Sequence, residues 1–123
     1  MRFVMIILVL LSGHASAHQW TPTYPKLEPS YVPGVLQTTM KLFNSRNDVS
    51  YYGFGVYDKD FNPVKFATGE RIIQVDYLGR KDVKIFIREQ DRDKAVYICS
   101  RSKIVAKDKT ATVVSSRICS KIK

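Results

Sequence analysis

The chain has 123 residues, with 20 lysines and arginines against 11 acids, a net charge of +9 and 45% hydrophobic residues. That length suits one domain with a modest core, and no repeat or low-complexity tract divides it. Two histidines and two cysteines leave little from which to build a catalytic or metal centre.

Residues 1–17 read as a secretory signal peptide. Arg2 supplies the positive start, Phe3 to Leu11 is an uninterrupted apolar run, and Ala15-Ser16-Ala17 is a small-x-small cleavage site. The run falls well short of the roughly twenty residues a membrane-spanning helix needs. No cysteine follows the cleavage site, so no lipid anchor is expected. The mature chain then begins at His18, loses the charge of Arg2 to reach +8, and carries no transmembrane segment. This predicts an exported protein, periplasmic or extracellular, in an oxidising compartment.

Residues 18–34 form an arm in which Pro22, Pro25, Pro29 and Pro33 alternate with Trp20, Tyr24 and Tyr31. Proline fixes φ and lacks a ladder donor, so the arm should be extended, at a sheet edge or across a surface. Its aromatics predict that part of it docks.

Residues 35–123 have the period of strands. Leu36, Met40 and Leu42 share a face, and Asn44 to Asp48 is dense in turn formers. Tyr52, Phe54 and Val56 share the next face, with Gly53 and Gly55 on the other, which predicts a bulge or a close neighbour there. Asp58 to Pro63 turns. Arg71 to Leu78 carries Ile73, Val75 and Tyr77 on one side, and Val83, Ile85 and Ile87 follow after another turn. Glu89 to Lys94 is a charged connection. No window shows a sustained helical period, so the fold is predicted all-β, with seven to eight strands in an antiparallel sandwich or barrel.

The last hairpin is the most specific feature. Centred on Lys109, antiparallel pairing sets Ile104 opposite Val114, Val105 opposite Val113 and Ala106 opposite Thr112. The same register sets Cys99 directly opposite Cys119, close enough for a cross-strand disulfide. The alternative is two unrelated buried thiols.

Catalysis has few parts to use. After cleavage the remaining histidine is His18, so a Ser-His-Asp triad lacks its centre. The cysteines are expected in the bridge, and no glycine-rich phosphate loop precedes a helix. Paired carboxylates at Asp58/Asp60 and Asp91/Asp93 fall in turns, where solvation explains them. A mature N-terminal histidine can chelate copper through its amine and ring, but such sites need a second histidine that this chain does not supply. Neither an enzyme nor a cofactor is expected.

Charge is more informative. From Ser100 onward Arg101, Lys103, Lys107, Lys109, Arg117, Lys121 and Lys123 face a single acid, Asp108. A cationic hairpin and tail suit an acidic protein, an acidic polysaccharide or an anionic lipid surface. Export argues against nucleic acid as the partner.

Asp93-x-Ala95-x-Tyr97-x-Cys99 resembles the entry to strand F of an immunoglobulin domain, where Asp and Tyr fix the corner before a cysteine. The second cysteine and the tryptophan of that pattern are missing from Val35 to Asp58. Leu42-Phe43-Asn44-Ser45, Tyr51 to Asp58 with Pro63, Gly79 to Ile85, and Tyr97 to Cys99 resemble the N-terminal domain of periplasmic pilus (fimbrial) chaperones, some with an F–G disulfide. The resemblance covers roughly 27–123 and implies a single immunoglobulin-like sandwich with an F–G hairpin disulfide. It also implies a non-enzymatic module that aids assembly of a surface structure by pairing an edge strand with a protein partner. The expected edge is Ala111 to Lys123, with Val114, Ile118 and Ile122 as its apolar positions. Lys121 and Lys123 are the positional candidates for the family's carboxylate anchor. The family's second domain does not follow. The other reading is a structural component of an envelope or virion-like assembly, its arm reaching a neighbour.

Overall fold

The alternation read along the chain becomes nine strands in the computed structural model, which describes residues 18–103 and 115–123. Two short strands come first, β1 (Gln19–Thr21) and β2 (Glu28–Pro29). The long β3 (Val35–Phe43) and β4 (Tyr51–Tyr57) follow, then the short β5 (Ala67–Thr68) and β6 (Ile72–Gln74). β7 (Arg80–Arg88), a 3-10 turn at Glu89–Asp91, β8 (Tyr97–Lys103) and β9 (Arg117–Lys121) complete the described chain. The count exceeds the expected seven to eight because the arm contributes β1 and β2.

The strands form two antiparallel sheets. The first runs β1-β3-β7-β5, with β2 also pairing β3, and the second runs β6-β4-β8-β9. β3 and β7 pair along their whole length, from Val35 opposite Arg88 to Phe43 opposite Arg80. Between the sheets lies the core that period-two alternation dictates. Leu36, Met40 and Leu42 from β3 and Val83, Ile85 and Ile87 from β7 meet Tyr52, Val56 and Ile98 from the second sheet. Burying each such side chain contributes about 1.5–3 kcal/mol. Trp20 joins from the arm, stacking on Phe54 at 5.3 Å and donating its indole N–H to the Ile98 carbonyl at 3.0 Å.

Turn chemistry closes the ends. The buried Asn44 amide donates to the carbonyls of Val49 (2.7 Å) and Val75 (2.8 Å). Its carbonyl oxygen accepts from the Tyr52 hydroxyl at 2.5 Å. One loop thereby ties both sheets together. The strand expected at Arg71 to Leu78 is shorter than its pattern. Only Ile72–Gln74 pairs with β4, although Ile73 and Val75 are buried as the alternation required. Beyond Gln74 the backbone serves the loops: Val75 N–H donates to Ser50 O, and Leu78 N–H to Asn44 O. Tyr77 is left exposed.

The two glycines of β4 prove to have close neighbours. A Cβ at Gly53 would lie 2.8 Å from Lys103 Cε, and one at Gly55 would lie 2.5 Å from the Tyr57 hydroxyl. Both positions are kept bare so that those side chains can cross the sheet surface.

Candidate functional site

β8 and β9 pair with Tyr97 opposite Lys121, Cys99 opposite Cys119 and Arg101 opposite Arg117, and the two cysteines are bridged. The pairs beyond this, Ile104 with Val114 through Ala106 with Thr112, lie outside the described residues, as do Lys107, Lys109 and Val114 themselves. The Cα atoms of the cysteines are 4.0 Å apart, the short spacing of a non-hydrogen-bonded pair. That parity sorts every residue nearby. Ile98, Ser100, Ser102 and Ser120 turn inward and are buried, whereas Arg101, Lys103, Arg117 and Lys121 share the outer face with the disulfide and are exposed.

Two expectations change as a result. Ile118 and Ile122, expected at a partner groove, pack against the protein's own core. Turning Cys119 outward necessarily turns its neighbours inward. The corner expected from Asp93, Ala95 and Tyr97 is also built differently. Tyr97 shares the outer face with Cys99 and stacks on Phe61 at 4.6 Å, with 7° between the rings. Ala95 is buried, Asp93 is exposed, and the acid that organises the bend is Asp91. Its carboxylate accepts from Arg88 at 2.7 Å, and its carbonyl accepts from the N–H groups of Lys94 and Ala95.

The outer edge of β9 is partly closed. In a non-hydrogen-bonded pair the backbone groups point away from the partner strand, so Arg117, Cys119 and Lys121 present theirs to the side remote from β8. The arm meets one end of this edge. Lys121 N–H donates to Thr23 O at 3.1 Å and Lys123 N–H to Pro25 O at 2.9 Å, the two segments running in the same direction. Since β1 and β2 pair with β3, the arm spans both sheets along one flank. Nearer Arg117, β1 lies against β9 without joining it in a ladder, so β9 remains the last strand of its sheet.

Beneath this edge sits a polar cluster that the sequence reading missed. His18 is 2% exposed, with Nε2 2.7 Å from Ser100 Oγ and Nδ1 3.1 Å from Ser116 Oγ. Its ring lies 4.7 Å from that of Tyr52. Arg46, bonded to Asp48 at 2.6 Å, also reaches Ser116 Oγ. Burial, reinforced by the Arg46 guanidinium, lowers the His18 pKa to about 4, against a hydrogen bond to Ser100 that favours the charged ring. The imidazole is therefore neutral at pH 7 and committed to two serines, which leaves no ring nitrogen for copper. Its signal in the sequence was the pair Ser100 and Ser102, two hydroxyls on the inward parity of a core strand that must meet a polar partner.

No protein-family model matches the sequence, and no curated protein matches it. Solved structures do. The crystal structure of the E. coli chaperone DraB superposes with a TM-score of 0.64 at 17% identity, covering 86% of this chain and 53% of that one. The chain thus spans about half the length of DraB. A PapD-like domain of human CEP192 superposes with a TM-score of 0.53 at 10% identity, covering 85% of this chain and 81% of that one. The fold is accordingly an immunoglobulin-like sandwich of the kind seen in pilus-chaperone domains.

Proposed function

We propose that this chain is an exported, non-enzymatic protein-binding module, acting in the periplasm or outside the cell. It aids assembly of a surface structure by pairing an extended partner segment with β9. The observation that carries this reading is that β9 ends its sheet, so a partner segment that displaces the arm could add to it as a further strand. Likeness in fold to a chaperone domain supports it. The basic residues flanking the edge would draw an acidic partner first, and an acidic polysaccharide or anionic lipid surface is a further candidate.

A second reading, a permanent structural part of an envelope or virion-like assembly, is favoured by the exposed arm residues Tyr24, Tyr31 and Val32. One experiment separates the two. A module of the first kind co-purifies reversibly with a surface subunit, whose level falls when the module is deleted. Arg117→Pro, which removes one outward donor without touching the β8 ladder, should weaken that association. Retention in the purified assembly, unaffected by Arg117→Pro, would favour the structural part.

A further inference from the structure

On the outer face of the second sheet, above β4, β8 and β9, three cations converge. Arg101 and Arg117 stand directly opposite each other across β8 and β9, and Lys103 follows on the same face. Like charges in that position repel and weaken a sheet, and among the described residues no salt bridge relieves them. They line a shallow cleft of about 60 Å³ with Gly53 and Gly55 in its floor and the disulfide and Tyr57 beside it. Among the described residues, no carboxylate lines it.

Arg117 is held in place. Its guanidinium lies 5.3 Å from the centre of the Phe61 ring and 5.9 Å from that of Tyr57. Phe61 has a left-handed backbone, φ 61°, unusual for a bulky residue. The Asp58 side chain fixes that turn by accepting from the N–H groups of Asp60 and Asn62 at 2.9 Å. Contacts with the two rings position the guanidinium without using its N–H groups, which can fork onto a carboxylate or sulfate.

We infer that this face is a binding site for a linear acidic polysaccharide, with one sugar carboxylate seated between Arg101, Lys103 and Arg117. Lys121 stands on the same face of β9 about 13 Å beyond Arg117, so the cations form a row that suits a polymer with one charge per sugar. Stacked nucleic-acid bases fit poorly, because the Phe61 ring is already covered by Tyr97 and Arg117. A lipid surface fits poorly as well, since the cleft is polar and, among the described residues, Phe61 is the one large apolar side chain exposed beside Arg117. The site uses the face rather than the edge, so it stands or falls separately from strand pairing.

The test is calorimetric titration of the purified protein with alginate oligosaccharides, a linear polyuronate, with neutral dextran as control. Removing two charge-assisted contacts in Arg101→Gln/Arg117→Gln should weaken alginate binding by about tenfold or more. That variant relieves a repulsion, so it should fold at least as well as the parent. Lys41→Gln/Lys84→Gln, which removes the same charge from the first sheet, should change binding by less than about twofold if position rather than net charge matters. Equal losses in both double variants would overturn the inference. So would tighter binding to phosphatidylglycerol vesicles or to a single-stranded oligonucleotide than to alginate.

Discussion

On the outer face of the first sheet Lys41 stands opposite Asp82, Arg80 covers the Phe43 ring at 5.2 Å, and Arg88 reaches Asp91 at 2.7 Å. The outer face of the second sheet carries as much positive charge, in Arg101, Lys103, Arg117 and Lys121, yet it sets two arginines against each other and, among the described residues, pairs neither with an acid. The contrast continues inward. β3 and β7 meet the core with Leu36, Met40, Ile85 and Ile87, whereas β8 turns Ser100 toward a buried histidine and Ser102 toward Ser116. One sheet is arranged for stability. The other gives up some of it on both of its faces, as the binding proposed for it requires.

Substitutions can sharpen or break this contrast. The largest effect should come from the staple that the second sheet has and the first lacks. Replacing Cys99 and Cys119 by serine removes a cross-link spanning 20 residues, and should lower unfolding free energy by about 3 kcal/mol in a urea titration. A loss of similar size on reduction of the unaltered protein would place the effect in the bond itself.

Nearly as large is the response to acid. His18 binds its proton at about pH 4 when folded and near its ordinary 6.5 when unfolded, so the unfolded state takes up more protons between those values. The stability contributed by the neutral ring is complete above pH 6.5, falls as the pH drops from there toward 4, and totals about 3 kcal/mol. Denaturation midpoints measured from pH 7 to pH 4 should show this slope, and His18→Asn should flatten it. An unchanged slope in that variant would mean that the acid response arises elsewhere.

Ser100→Ala should come next. It leaves His18 Nε2 buried without its partner, at a cost of about 1–3 kcal/mol. Thr38→Val, a comparable change on the inward face of β3, should be near neutral. Equal costs would erase the distinction between an apolar and a polar inner face. The smallest expected effect is a gain. Arg101→Glu converts the facing arginines into a pair like Lys41 and Asp82, and should raise stability by about 0.2–1 kcal/mol while lowering alginate affinity.

Much of this frame could be read in the sequence, for a simple reason. Strand parity is a two-letter pattern, and Leu36, Met40, Ile85 and Ile87 announce the core face without tertiary information. The disulfide register was equally accessible, because antiparallel pairing makes the partner of Cys99 a matter of counting from the turn. What escaped depends on distance along the chain. Nothing near His18 shows that its ring will lie under β8 and β9, and nothing near Phe61 shows that Arg117 will cover it. The Tyr97 corner failed for a subtler reason. The motif matched residue by residue, but a cysteine on the outer face of its sheet carries the tyrosine two positions earlier to the same side.

The two ends of the described chain close on each other, with His18 against Ser116, Thr23 against Lys121 and Pro25 against Lys123. During synthesis the first of these residues emerges long before its partner, so the flank of the sandwich stays unfinished until β9 has been made. A polypeptide stalled before Arg117 would leave the imidazole wet and the proline segment without a mate. Addition of β9 is therefore the event that locks the arm in place.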